Sequence, residues 1–253
     1  MKDLTVIIPI LSLDSKEKKD MFKKALKSAS GAESIIVVGN SEALSGIEKV
    51  SKNTTLLENT GDTEYAAQVN FSVENVKTKY FSVLEYDDTF SKIWFTNVEK
   101  YLSVDTENTF AYLPLTEIID APSNEVIGYA NEAVWASSFS EEIGCFDNEC
   151  MKDYLNFNTS GAIFKTEEFK ALGKLKESMK LVFWYEFLLR ALYKEKRIFV
   201  IPKIGYYHYA NRDGSMTSEY GKNMSVKEAD WWIDLATKEM YFPQDRKKTY
   251  EEE

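Results

Sequence analysis

Histidine and cysteine are nearly missing from this chain, and their scarcity narrows the chemistry it can do. The sole histidine is His208, and the two cysteines, Cys145 and Cys150, share the short stretch Cys-Phe-Asp-Asn-Glu-Cys. A structural zinc site needs more Cys or His ligands than this, so none is expected and both cysteines are read as plain thiols. Long apolar runs are lacking too. Residues 1–13 hold an apolar run of about eight residues behind Lys2 and Asp3, too short for a secretory signal and far below the roughly 20 residues that span a bilayer. No other segment comes closer, so no membrane span is expected and the expected location is the cytoplasm. Positive charge is in deficit as well, with Lys+Arg 31 against Asp+Glu 41 and a net charge of −10. Proteins that coat nucleic acid neutralise phosphates with a basic surface, so this balance argues against tight non-specific binding of that kind.

What is present is ordinary globular composition. Hydrophobic residues make up 44% and charged residues 28% of 253 residues, enough for a full core, and no linker or internal repeat divides the chain. The densest basic run, Lys16, Lys18, Lys19, Lys23, Lys24 and Lys27, has helical spacing beside Met21, Phe22 and Leu26 and reads as the wet face of a surface helix.

The order of elements is that of a wound parallel sheet. Residues 4–9 form a β-branched run closed by proline, a buried strand ending at a loop. Asp14 or Ser15 caps a helix over residues 16–29, Gly31 ends it, and residues 34–40 form a second buried strand. Strands that do not alternate in polarity, joined by a helix, begin an α/β sheet with crossover connections. A weaker strand is expected at 54–57 and a helix at 64–76. The apolar strand 80–84 then runs straight into Glu85-Tyr86-Asp87-Asp88. A helix at 91–102 and a strand at 109–115 follow, and the pattern is irregular from there to about residue 156. Beyond it, a strand is expected at 158–164, an amphipathic helix at 181–194, a strand at 197–202 leading to Tyr206-Tyr207-His208-Tyr209, and a last helix at 226–240.

Acidic residues at the carboxyl end of a central strand stand where open α/β sheets place their ligands. Side chains alternate in extended chain, so Glu85 and Asp87 point one way and Asp88 marks the turn. Three carboxylates in four residues can hold a hard divalent cation, yet a strand ending in Asp-Asp is also a common turn and cap signal.

The sequence around this motif resembles the family 2 glycosyltransferases of GT-A fold. Residues 4–9 and 35–38 look like the family's first two strands. Ala66-Ala67-Gln68-Val69-Asn70, ahead of Tyr80-Phe81-Ser82-Val83-Leu84-Glu85-Tyr86-Asp87-Asp88, resembles its acidic signature. Tyr206-Tyr207-His208 and Asn211-Arg212-Asp213-Gly214-Ser215-Met216-Thr217 are similar to its closing loop. The resemblance implies a mostly parallel, mixed central sheet flanked by helices over residues 1–218, with 219–253 as a C-terminal helix and tail on the same domain. It implies transfer of a sugar from a nucleoside diphosphate, a UDP-sugar first among the expected donors, to a hydroxyl acceptor. It implies Mn²⁺ or Mg²⁺ held by Glu85 and Asp87, with His208 either completing the shell or serving as a structural imidazole. Arg212 and Ser215 then contact the diphosphate. Pro9, Asn40, Gln68, Asn70 and Tyr86 are expected on the donor side, and Asp88 among the catalytic groups.

The chain departs from the family at three points. Glu85 replaces the first aspartate, and Gly39-Asn40-Ser41 replaces the aspartate that ends the second strand and holds the base. Alignment on the helix containing Arg190 puts Phe183-Trp184 where the family has the Glu-Asp general base. Glu186 is the nearest substitute to take the acceptor's proton, and Asp153 another. Trp135, Trp184 and Tyr65 are candidates for stacking on a sugar or base, or for the core. Two alternatives follow. Richness in Lys, Glu, Asn and Tyr resembles large-bacteriophage proteins, which makes hydroxymethylated DNA bases a possible acceptor, with Arg246, Lys247 and Lys248 in a basic groove. The Trp184 departure favours a degenerate GT-A domain kept as a structural or binding module.

Overall fold

The computed structural model describes residues 1–47, 50–104, 109–132, 144–153, 155, 157–212, 215 and 222–251. Trp135 and residues 213–214 and 216–217 of the expected closing loop lie outside these, as does the side chain of Asp153. Ten strands among the described residues form one sheet: β1 (Leu4–Pro9), β2 (Ser34–Gly39), β3 (Thr54–Glu58), β4 (Tyr80–Val83), β5 (Thr89–Phe90), β6 (Thr109–Asp120), β7 (Val126–Ala130), β8 (Cys145–Phe146), β9 (Ile163–Lys165) and β10 (Arg197–Ala210). The helices are α1 (Lys16–Ser28), α2 (Ser41–Ser45), α3 (Tyr65–Glu74), α4 (Trp94–Leu102), α5 (Asn148–Asp153), α6 (Thr166–Ala171), α7 (Phe183–Tyr193) and α8 (Val226–Glu239).

Strand order is β3-β2-β1-β4-β9-β6-β10-β5, with β7 added to β6 and β8 to β10. β3, β2, β1 and β4 run parallel, and so do β6 and β10. β9 is inserted antiparallel between β4 and β6. The chain winds outward from β1 to β2 and β3 on one side, then returns to place β4 on the other, so a topological switch point lies at the carboxyl ends of β1 and β4. Every residue of β1 and β4 is buried, which explains why neither shows polar alternation.

Helices cover both faces. On one, Val69 and Val73 of α3, Phe169 of α6, Phe187 and Leu188 of α7 and Trp232 of α8 pack on Phe81, Phe110 and Phe164. On the other, Phe22 and Ala25 of α1 and Trp94 and Val98 of α4 pack on Val6, Ile8 and Tyr206. Ser15 caps α1 through its side chain, the Lys18 N–H donating to Oγ at 3.1 Å. The C-terminal helix α8 belongs to the same packed body, since Trp232 is almost fully buried in the first cluster.

Two segments differ from expectation. The irregular stretch after residue 115 begins with a hairpin, in which β6 continues to Asp120 and pairs with β7. Strand 197–202 and the tyrosine-rich segment after it are one long strand, β10, kept in register with β6 by irregularities near Ile201 and Ile204.

Candidate active site

The site begins where β4 runs out of partner. The Leu84 N–H still donates to the Ile7 carbonyl at 2.9 Å, but the Glu85 N–H donates to the Tyr206 hydroxyl at 3.2 Å instead of continuing the ladder. The chain turns, with the Asp88 N–H on the Glu85 carbonyl, and re-enters the sheet as β5 beside Tyr206 and Tyr207. This turn carries the acidic residues against the end of β10, whose residues lie about 120 positions later in the chain.

Asp88 is fully buried and both of its oxygens are engaged. Oδ2 bonds His208 Nδ1 at 2.9 Å, and Oδ1 accepts from the Tyr209 N–H at 2.9 Å and from Arg212 Nη2 at 3.2 Å. Asp88, expected among the catalytic groups, therefore holds His208 and Arg212 in place rather than facing the open edge. A carboxylate on Nδ1 fixes the imidazole so that Nε2, without a partner among the described residues, is presented outward, and the ring is 34% exposed. Arg212 Nη1 also reaches Asp87 Oδ2 at 2.9 Å and the Asp87 carbonyl at 2.8 Å, while its buried Nε has no partner among the described residues. Glu85 Oε1 accepts from the Tyr65 hydroxyl at 2.7 Å and the Ser160 hydroxyl at 3.1 Å.

This crowding of acids raises proton affinity. Burial, then repulsion from Asp87 and Asp88, lifts Glu85 to about 7. Burial and Asp88 lift Asp87 to about 6 against the pull of Arg212. Burial lowers His208, but the hydrogen bond and charge of Asp88 outweigh it and its pKa is raised. Between about pH 4 and 7 the folded chain thus binds more protons at these groups than the unfolded chain, so stability falls as pH rises through that window. The groups with lowered values, Asp14, Glu74, Asp120, Glu239 and Asp245, act in the opposite sense, and do so below about pH 5. Thermal denaturation in a metal-free buffer is expected to show lower stability at pH 8 than at pH 5, by an amount on the order of 3 kcal/mol. Stability that rises from pH 5 to pH 8 contradicts this charge distribution.

The donors suit a hard divalent cation: carboxylate oxygens from Asp87 and Glu85 and an oriented imidazole nitrogen from His208. Among the described residues no three acidic, histidine or cysteine side chains converge on one point, so these residues by themselves supply an incomplete shell. Bound Mg²⁺ commonly takes only one or two carboxylates from protein and the rest from substrate phosphates and water.

Other expected residues fall into place around this cluster or away from it. Pro9 ends β1 at the switch point. Asn40 caps α2, its Oδ1 accepting from the Ala43 N–H at 2.8 Å, which leaves its amide N–H₂ to donate. Gln68 Nε2 ties the Thr63 carbonyl at 2.6 Å and reaches that of Ile10, and its buried Oε1 has no partner among the described residues. Tyr86 packs partly against the α1–α4 side of the sheet. Ser215 follows Arg212, with its N–H on the Arg212 carbonyl. Asn70 is not brought to the cluster: its side chain bonds both backbone groups of Leu175 and the Glu177 carboxylate, pinning α3 to that segment.

Glu186 is not brought there either. It is fully buried, with Oε1 3.0 Å from Lys176 Nζ and 2.9 Å from Arg190 Nε, and Oε2 2.8 Å from Arg190 Nη2. Lys176 continues to Glu239, which pairs with Arg246. An acid tied down in this way is poorly placed to take a proton from an acceptor. The same network engages Arg246, which pairs with Glu239 while its side chain stays 42% exposed. Trp184 stacks on Phe164 at 5.2 Å and Tyr65 on Phe183 at 5.4 Å, so both rings face the core. The lysine-rich helix is not wholly a solvated face. Lys16, Asp20, Met21 and Lys24 line a cavity of about 580 Å³ that reaches Asp87, Tyr209 and Arg212, a volume typical of small-molecule sites.

No family model matches the sequence, and no curated protein matches it. Solved structures do. S. aureus TarS 1-349 in complex with UDP-GlcNAc superposes with a TM-score of 0.64 at 14% identity, covering 95% of this chain and 72% of that one. The same protein in complex with UDP gives 0.62 at 14% identity over 94% and 70%. A longer TarS structure gives 0.58 at 15% identity over 96% of this chain and 44% of its own. At such identity the likeness establishes the fold, which is the GT-A type.

Proposed function

We propose that this chain transfers a sugar from a nucleoside diphosphate, a UDP-sugar in the first instance, to a hydroxyl acceptor. The observation that carries the reading is the Asp87–Arg212–Asp88–His208 cluster at the carboxyl ends of β1 and β4, in a fold that TarS uses to bind UDP and UDP-GlcNAc. A departing diphosphate gains negative charge, and fixed cationic groups that meet it lower the barrier. A divalent cation, Mn²⁺ or Mg²⁺, supplies that charge when bound, and Asp87, Glu85 and His208 are the residues that would hold it. Arg212 already bridges the two aspartates, and its buried Nε, without a partner among the described residues, is a donor suited to a phosphate oxygen. Ser215 lies close behind it on the same loop. The amide N–H₂ of Asn40, without a partner among the described residues, suits a base that offers a carbonyl oxygen, and Pro9 and Gln68 lie at the loop that follows β1.

Among the described residues no helix is long and apolar enough to cross a membrane. A second reading, a donor-binding module without transfer, is favoured by the packing of Phe183 and Trp184 in the core and by the tethering of Glu186. Incubation with UDP-GlcNAc and other nucleotide sugars, with and without manganese, separates the two. Slow, manganese-stimulated release of nucleoside diphosphate without acceptor is expected. Binding without release in every case supports the module, and neither binding nor release sinks both readings.

A further inference from the structure

Three hydroxyl groups among the described residues, from three separate parts of the chain, meet at Glu85. Tyr65 comes from the first turn of α3 and donates to Oε1 at 2.7 Å, and Ser160 comes from the segment before β9 and donates to the same oxygen at 3.1 Å. Tyr206, from the middle of β10, accepts from the Glu85 N–H at 3.2 Å. Local rules of strand or turn formation do not demand this arrangement, since an acid at a strand end is commonly left to solvent. Here the surroundings are shaped to produce it. Gly161 has φ +79, and a side chain there would overlap the Tyr206 ring, so glycine is what lets the 158–161 segment pass close enough to bring Ser160 to Glu85. The Trp94 indole N–H fixes the same segment by donating to the Gly161 carbonyl at 3.0 Å.

Tyr65 is itself held from behind. Its ring is buried and stacks on Phe183 at 5.4 Å. Phe183 and Trp184 occupy the positions where the resembling family has an acidic pair, and in this chain Phe183 packs on the tyrosine that grips Glu85 while Trp184 stacks on Phe164. The departures at positions 85 and 183 are therefore joined through Tyr65. A glutamate has one more rotatable bond than aspartate, and holding it through two hydroxyl donors removes that freedom.

We infer that Tyr65 and Ser160 are positioning residues that fix the Glu85 carboxylate for the bound donor and its cation, with Phe183 as the ring that packs on Tyr65. This rests on the reading of the site as one for a nucleotide sugar. In this role the two hydroxyls act through the orientation of one oxygen, Oε1 of Glu85.

The test is calorimetric titration of UDP-GlcNAc in the presence of manganese, with the melting temperature of each variant measured in the absence of both. Tyr65→Phe keeps the ring in the core and removes only the donor to Glu85. It is expected to weaken manganese-dependent binding on the order of 10-fold, as loss of an outer hydrogen bond to a metal-site ligand does, with little change in melting temperature. Ser160→Ala is expected to weaken binding in the same direction, and Ser160→Thr, which keeps the hydroxyl, to restore it. Where donor turnover is measured, the donor KM is expected to rise more than kcat falls. If Tyr65→Phe instead lowers the melting temperature markedly, the Ser160 pair decides: loss in Ala with recovery in Thr supports the inference, and equal binding by both overturns it. A wild-type chain that binds UDP-GlcNAc while both single variants bind it equally well overturns the inference and leaves the donor site standing. A wild-type chain that binds no nucleotide sugar removes both together.

Discussion

Glu186→Ala is expected to destabilise the fold by about 3–5 kcal/mol, because it strips the counter-charge from two buried cations at once. Lys176 and Arg190 are each about 1% exposed; Lys176 leans on Oε1 of Glu186 and Arg190 on both of its oxygens. Arg190 also donates to the Leu172 and Lys174 carbonyls, so it has no way to swing into water without breaking the turn after α6. Lys176 donates to the Glu239 carbonyl at 2.7 Å and pairs with its carboxylate, which keeps it in place beneath α8. Removing one partner of such a network is far worse than never having built it, since the remaining charges are desolvated without compensation. For a chain of this size the loss corresponds to a fall in melting temperature on the order of 10 °C. Glu186→Gln keeps shape and one acceptor oxygen, and is expected to fall between the two. Thermal unfolding followed by circular dichroism measures both. A variant that melts like the wild type but loses all turnover would return Glu186 to the list of groups that move a proton.

Asp87→Asn is expected to show the reverse pattern, with activity lost and stability kept. The fold holds the Asp87 carboxylate in a buried place next to Asp88, raising its pKa to about 6, so above that pH its charge is a burden that a neutral amide relieves. Against this stands the loss of its ion pair with Arg212, which Asp88 still engages. The melting temperature at pH 8 is therefore expected to stay level or rise slightly. Turnover of a nucleotide sugar is expected to fall about 10²–10³-fold, the usual effect of deleting one group that meets developing charge. Sites that concentrate like charge for chemistry generally trade stability for it. A variant with wild-type turnover contradicts the central role given to this residue.

The sheet and its switch point were legible in the sequence because buried parallel strands are written as continuous apolar runs, and 4–9, 34–39 and 80–83 all read that way. The Ser15 cap and the amphipathic helices were equally local signals. The hairpin of β6 and β7 was not, since Val126, Ile127 and Tyr129 are exposed and offer no inward face to mark a strand. At the site, the acidic turn was visible and its geometry was not. The role of Asp88 depends on His208 and Arg212, which the fold brings from about 120 residues away. Glu186 misled for a similar reason. Its spacing from Arg190 is that of a helical ion pair, and that signal was present in the sequence. Its other partners, Lys176 and Glu239, are supplied only by tertiary packing. The cavity flanked by Lys16 and Lys24 was hidden because a cationic helix face looks the same whether water or a ligand lies beyond it.

The proposed transfer requires that Asp87 and its neighbours bind a sugar nucleotide through a cation. Calorimetric titration of UDP-GlcNAc into the wild-type chain and into Asp87→Asn, each with and without manganese, measures this directly. Binding by the wild type that strengthens at least 10-fold with manganese, and an Asp87→Asn variant that gains nothing from the metal, is the predicted result. Equal affinity in all four titrations, or no binding in any, would contradict it.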